Sequence, residues 1–168
     1  LAGLGARVAI VDRSLTSFTE FEAERRQMSA ATTVDEVQKL GVDGIGIEAD
    51  VGDPDAILAA VRQVDARWGR LDVLVCNAAI RPPKPVTETS IEDWHRVFAV
   101  NLHSAFYLAR AVVPGMKERG RGSIIALGGQ SSLTGRPGTA GRRWAPPAGS
   151  SSARAGPRRW NGSASRSK

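Results

Sequence analysis

Three polar residues stand at or just past the ends of apolar stretches, where strand ends would place them. Asp12 follows RVAIV (Arg7 to Val11), Asp50 follows the alternating Ile45 and Ile47, and Asn77 follows LDVLVC (Leu71 to Cys76). In open α/β sheets ligands bind beyond the carboxyl ends of the strands. An acidic residue there accepts hydrogen bonds from ribose hydroxyls when it lies about 20 positions after a glycine-rich turn. Counting back that far from Asp12 runs past Leu1. Gly3 and Gly5 do not form such a turn, because position 8 is Val and no strand precedes them. They fit the end of a helix. Asp12 therefore reads either as a ribose acceptor or as an ordinary strand-end turn residue. Asp50 with Val51 reads as a ligand contact or as the entry to a helix. Asn77 has an amide able to tie neighbouring loops through their backbone groups. Asn101 lies among Val100, Leu102 and Phe106, although asparagine is unfavourable inside a helix; it marks a kink, an exposed position or a functional one.

Other reactive side chains offer less. Ser131 and Ser132 need a base beside them to act as nucleophiles, and none is near in sequence. His95 and His103 lack partners at metal-ligand spacing, so no metal site is expected. Cys76 lies in a buried strand and reads as structural. A single cysteine excludes a disulfide framework and a cysteine-based zinc site, and favours a reducing, cytoplasmic compartment.

The elements that must position these residues alternate in type. Strand-like runs end at Asp12, Asp50, Cys76 and Leu127, the last being SIIAL from Ser123. Between them lie helix-compatible stretches. Ser17 with Glu20 and Thr33 with Glu36 fit capping boxes, and Gly41 supplies a stop. Asp53-Pro54 starts a helix whose stripe is Ile57, Val61, Val64 and Trp68, ended by Gly69. Ser90 with Asp93 caps a long helical region to about Glu118, broken near Asn101 and bent at Pro114. LDVLVC is nearly continuous apolar sequence, as in a strand covered on both faces. This alternation is the signature of a parallel sheet with crossover helices.

Charge divides the 168 residues into two parts. The net charge is +6, yet from residue 136 onward there are eight basic residues and no acidic one, leaving 15 basic against 17 acidic in 1–135. The same tail lacks Ile, Leu, Val, Met and Phe. It cannot bury enough apolar area to offset its ordering entropy and reads as disordered. The expected division is a body over 1–138 and a basic Gly/Ser/Pro/Arg-rich tail over 139–168. No run of eighteen apolar residues occurs, so no membrane span is expected.

Five segments in order give the body a family resemblance: VAIVDR with Asp12, EADV with Asp50, VCNAA with Asn77, VNLHSAFYLARAVVPGM with Asn101, and GSIIALGGQSS followed by TGRPG. Together, over about Leu1 to Ala140, they resemble the short-chain dehydrogenase/reductase family, most nearly its 3-oxoacyl carrier-protein reductases and alcohol dehydrogenases. The resemblance implies a Rossmann-like, doubly wound parallel sheet, a nicotinamide dinucleotide and reversible oxidation of a small-molecule alcohol to a ketone or aldehyde. Asp12 would bind the ribose and favour NAD over NADP, since a further phosphate would meet a carboxylate. Asp50 and Val51 would flank the adenine, and Asn77, Ala78 and Ala79 would match the family's Asn-Ala-Gly turn, with Ala79 in place of glycine. Asn101 would match the catalytic asparagine that holds a water in the proton relay, on a helix that often joins subunits.

The departures from the family are equally specific. Its chemistry uses a tyrosine as general acid/base, a lysine four residues on, and a serine that steadies the substrate oxygen. Ungapped alignment puts the serine at Gly129, the tyrosine near Arg142 and the lysine near Pro146, with Ser131 the substitute serine after a small loop shift. The sole tyrosine is Tyr107, and no Tyr-x-x-x-Lys occurs. The glycine-rich phosphate loop, the first strand and the C-terminal strands are also missing. With order 3-2-1-4-5, the strands that remain are expected as two separated pairs or a non-native closure, with low solubility and weak cooperativity. The chain is expected to be inactive as written. Its tail has the composition of GC-rich codons read out of frame. Two other readings are a pseudoenzyme that joins full-length relatives through the Asn101 helix, and a scaffold whose basic tail, with Trp144 and Trp160, contacts nucleic acid or an anionic surface.

Overall fold

The computed structural model describes residues 1–128 except 17, 18, 20, 21, 23–25, 27 and 83. The 139–168 tail, Ser131 and the Ser17–Glu20 box lie outside the described residues. In chain order the elements are β1 (Val8–Asp12), α1 (Thr33–Lys39), β2 (Gly44–Glu48), α2 (Pro54–Trp68), β3 (Val73–Cys76), α3 (Ile91–Phe98), α4 (Ser104–Glu118) and β4 (Ser123–Ala126). A π-helical turn, Ala99–His103, joins α3 to α4. Ahead of β1, a 3₁₀ turn over Ala2–Leu4 ends at Gly5, whose φ of 82° is open to glycine at no steric cost. Gly5 thus closes a helical turn, as its sequence context suggested.

The strands form two parallel pairs, β1 with β2 and β3 with β4. Val8 stands opposite Gly44 and Asp12 opposite Glu48 in the first pair; Val73 stands opposite Ser123 and Cys76 opposite Ala126 in the second. Of the two arrangements expected without a central strand, separated pairs are the one observed. The architecture is α/β with parallel strands, consistent with part of a Rossmann-like sheet.

Helix α2 holds the pairs together. Asp53 caps it, accepting from the N–H groups of Asp55 at 2.9 Å and Ala56 at 3.4 Å, with Pro54 in the first turn. Its Ala60 and Val64 pack beneath Ile47, Ala9, Val11 and Ile45 of the first pair. Val61, one position round the helix, packs with Leu74, Val112 and Met116 beneath the second. Ile57 is fully buried with Val51 and Val100.

Three local expectations need correcting. The capping box before α1 is Thr32 with Asp35, one residue earlier than Thr33 with Glu36. Thr32 Oγ1 accepts from Asp35 N–H at 3.0 Å and the Asp35 carboxylate accepts from Thr32 N–H at 3.0 Å, a reach that suits the shorter acid. β3 is not covered on both faces by described elements, for Leu74 is buried while Val73 and Val75 are 41% and 40% exposed. The helix at Asn101 is widened rather than broken. Ser104 N–H reaches back to Ala99 carbonyl, and Ser104 Oγ donates to Val100 carbonyl at 2.6 Å. By length and composition the continuous helix Ile91–Glu118 would suffice to cross a membrane; here Val97, Val100, Ser104, Val112 and Met116 on it are buried within the protein.

Candidate functional site

The carboxyl ends of β1, β2 and β3 meet over one apolar patch. Val11 near the end of β1, Val51 after β2 and Ile80 after β3 pack with Ile57, Val100, Tyr107 and Leu108. Parallel strands with crossover helices bring such ends to one side of a sheet, so the residues beyond them share a rim.

Asp12 closes β1 at that rim. Its Oδ1 accepts the Ser14 N–H at 3.1 Å and its backbone carbonyl accepts the Ala49 N–H at 2.9 Å, which fixes the turn and leaves the carboxylate partly exposed. Arg13 beside it is exposed.

Asp50 is more committed. Oδ2 lies 2.7 Å from Arg96 Nη1 on α3, and Oδ1 accepts the Gly52 N–H at 2.8 Å. Partial burial pushes its carboxyl upward, but the hydrogen bonds from Arg96 and Gly52 and the charges of Arg96 and Arg13 outweigh that and hold it below the ordinary carboxylate range. A Cβ at Gly52 would stand 2.9 Å from Arg96 Nη1 and 3.3 Å from the Ala99 side chain, so the bare backbone is what admits the ion pair. Val51 turns its side chain into the core, leaving its backbone to meet anything at the rim.

Asn77, Ala78 and Ala79 run exposed beyond β3. The tie that fixes this run comes from Asn101, not from Asn77. Asn101 Oδ1 accepts the Ile80 N–H at 2.8 Å, and Nδ2 donates to the Ile80 carbonyl at 2.9 Å. The amide pairs with a peptide group as a neighbouring strand would, and the π turn is what aims it there.

The remaining candidates do not join this rim as reactive groups. Ser131 and the positions aligned with the family's serine, tyrosine and lysine lie outside the described residues. Tyr107 packs on the apolar patch with its ring 6.0 Å from Phe106 and 6.2 Å from His103. Burial pushes the Cys76 thiol up, away from thiolate chemistry. Sequence reasoning missed Arg96 and Ile80. Ile80 lies 21 positions from its partner Asn101 and Arg96 lies further still from Asp50, so no spacing signals them.

A family model described as short chain dehydrogenase matches residues 1–141. The chain belongs to the short-chain dehydrogenase family. A curated relative, cyclohexanol dehydrogenase of Rhodococcus sp. (strain TK6), is 36% identical over 135 residues, covering 78% of this chain and 50% of that protein. The chain thus spans about half the length of the curated relatives it matches. The solved L-sorbose reductase from Gluconobacter frateurii, complexed with NADPH and L-sorbose, is similar at TM-score 0.70 and 26% identity over 84% of this chain and 49% of that one. NAD+-bound xylitol dehydrogenase matches at TM-score 0.67 and 25% identity over 84% of this chain and 50% of that one.

Proposed function

We propose that the described residues form the adenosine-binding side of an NAD(P)-dependent oxidoreductase that interconverts an alcohol and a ketone or aldehyde, and that the 168 residues alone do not turn substrate over. The observation that carries this reading is the meeting of Asp12, Asp50 with Val51, and Asn77 to Ala79 at the ends of β1, β2 and β3 over one apolar patch.

The residues fit one half of a dinucleotide. Asp12 accepts from ribose hydroxyls, Val51 offers backbone groups and an apolar floor, and the Asn77–Ala79 run lies alongside. Asp50 shapes the turn, since both its oxygens are already engaged. Asp12 repels a 2′-phosphate and Arg13 attracts one, so the adjacent pair sets the preference; Asp12, ordered by its turn, favours NAD. Among the described residues no glycine-rich turn opens a helix here to hold the pyrophosphate.

A bound nicotinamide supplies or accepts a hydride. The alcohol proton needs a base, and the sequence holds no Tyr-x-x-x-Lys to provide it. Asn101, which the resemblance places in the proton relay, acts in this chain as a positioning residue that fixes Ile80 and the run before it. Phe106, 61% exposed on α4, supports association of two copies through this helix.

Saturation-transfer NMR on the purified chain with NAD+ and NADP+ tests the reading. Adenine and ribose protons should saturate more than nicotinamide protons, and Asp12→Ser should weaken the NAD+ signal more than the NADP+ signal. Absent adenine saturation overturns the binding half, and alcohol-dependent reduction of NAD+ overturns the inactive half.

A further inference from the structure

The turn after β2 holds its backbone groups in a fixed arrangement, and an arginine from another element sets it. Within the turn the Asp50 carbonyl accepts the Asp53 N–H at 3.0 Å, and the Gly52 N–H donates to Asp50 Oδ1 at 2.8 Å. The Gly52 and Asp53 donors are thus spent inside the turn. The Val51 N–H is left over, with no partner among the described residues, while the Val51 side chain is buried against Ile57 and Val100. The bond from Gly52 to Oδ1 closes a ring around the Asp50–Val51 peptide. The Asp50 side chain therefore fixes which way the Val51 N–H faces.

Arg96 in turn fixes Asp50. Its Nη1 lies 2.7 Å from Oδ2, the oxygen that Gly52 does not use. The guanidinium reaches this place because buried Val97 and Val100 set the rotation of the helix, and because Gly52 has no Cβ. A Cβ there would stand 2.9 Å from Nη1. The two side chains of the pair are 35% and 36% exposed, so water screens it and it adds little to stability. What it supplies is direction. Five residues on, Asn101 holds Ile80 after β3, so α3 with its π turn fastens both rim loops at once.

We propose that Arg96 is a positioning residue for the base of the dinucleotide: acting through Asp50, it fixes the turn after β2 so that the site prefers adenine to a 6-oxopurine. This role rests on the reading of the rim as an adenosine site. Adenine carries a lone pair at N1, whereas hypoxanthine carries a proton there. An N–H donor held in one direction attracts the first and repels the second. A site that is built to make a hydrogen bond rejects the analogue that cannot make it, and a site that binds by apolar fit alone does not. The distinction therefore depends on the aim of the Val51 N–H, which Arg96 sets from outside the turn.

NAD+ and its hypoxanthine analogue are titrated into the full chain by saturation-transfer NMR, with circular dichroism on every variant. The parent should bind NAD+ at least fivefold more tightly than the analogue. Arg96→Gln should weaken NAD+ at least fivefold and the analogue less than twofold, a change of selectivity that general loosening would not make. Arg96→Lys keeps a cation within reach of Oδ2 and should restore NAD+ to within threefold of the parent. Gly52→Ala crowds the guanidinium without removing a charge and should repeat the Arg96→Gln result. In the Asp50→Asn, Arg96→Gln double variant the two losses should not add, since one residue acts through the other. Arg70→Gln breaks an ion pair with Asp72 away from the rim and should leave both affinities unchanged. Equal weakening of the two nucleotides in Arg96→Gln shows support of the fold alone and overturns the proposal. So do unchanged binding, additive losses in the double variant, or a parent that binds both nucleotides equally. Failure of the parent to bind either nucleotide overturns the adenosine reading itself, and the positioning role falls with it.

Discussion

The two strand pairs share a helical roof but differ in what lies on their other sides. On the face of β1 and β2 away from α2, Leu15 and Val34 press so close to Gly46 that an added methyl group would collide, and Val37 lies 3.0 Å from where one would stand at Gly44. Gln38 covers the outer edge. The β3–β4 pair has α4 on one face only, leaving Val73, Val75 and Ile125 between 40% and 44% exposed on the other. Apolar strands of equal quality are thus covered in one half and open in the other. Open, flat apolar strands invite pairing with other chains. Aggregation of this protein should begin at β3–β4 and at the strand edges that no described strand pairs.

The largest effect is expected where both halves depend on one side chain. Ile57→Ala empties a fully buried position between Val51 and Val100 and should cost about 2–5 kcal/mol. In a protein of ordinary stability, that removes a large part of the total. If the halves unfold as one, thermal melts followed by circular dichroism should shift without broadening. The open edges argue for a broad, weakly cooperative melt in the parent chain, and a sharp two-state transition would contradict that.

A matched pair of substitutions then separates the halves. Gly46→Val puts a side chain where a Cβ already stands 2.5 Å from Leu15 Cδ1 and 2.7 Å from Val34 Cγ2, and should destabilise by about 1–3 kcal/mol. Val75→Thr on the open face should change stability by no more than about 0.5 kcal/mol while raising soluble yield. Urea titration and light scattering read the two quantities. Equal costs at the two positions would show that a covering element reaches Val75 after all.

Between these in size lies Asn101→Leu, which strips two hydrogen bonds from a partly buried peptide group and should cost about 1–2 kcal/mol. Faster amide exchange at Ile80, read in the same sample, distinguishes the loss of the clip from general loosening. This residue also shows where the sequence was legible. Asp53 and Ser90 act on donors two and three positions ahead, so their caps could be read from spacing alone. Thr32 and Thr33 both have an acid three residues on, and only side-chain reach decides between them. Asn101 stood out as misplaced in a helix, but its partner lies 21 positions back, and Asp50 and Arg96 are further apart still. LDVLVC reads as a doubly covered strand from its near-continuous apolar composition, yet the described neighbours bury Leu74 and leave Val73 and Val75 open, because composition does not say which elements lie alongside.

The smallest effect is electrostatic and again compares the halves. Asp43 in the first half is held low by the Arg67 hydrogen bond and then by the Trp68 indole N–H at 2.7 Å; Asp72 in the second is held low by Arg70. Asp50 at the rim is held low against its own partial burial. A carboxyl whose folded pKa lies below its unfolded value of about 4 adds stability that is present above that value and lost as pH falls through the folded pKa. The melting temperature should therefore fall between pH 5 and pH 3. Asp50→Asn should flatten that fall more than Asp72→Asn, because Arg96 joins α3 to the loop after β2, whereas Arg70 and Asp72 are near neighbours in sequence and stay close in the unfolded chain. High salt should shrink both differences, since every pair is at least partly exposed. Equal slopes in the two variants would mean that the Asp50–Arg96 pair does no more to hold the rim together than a local surface contact does.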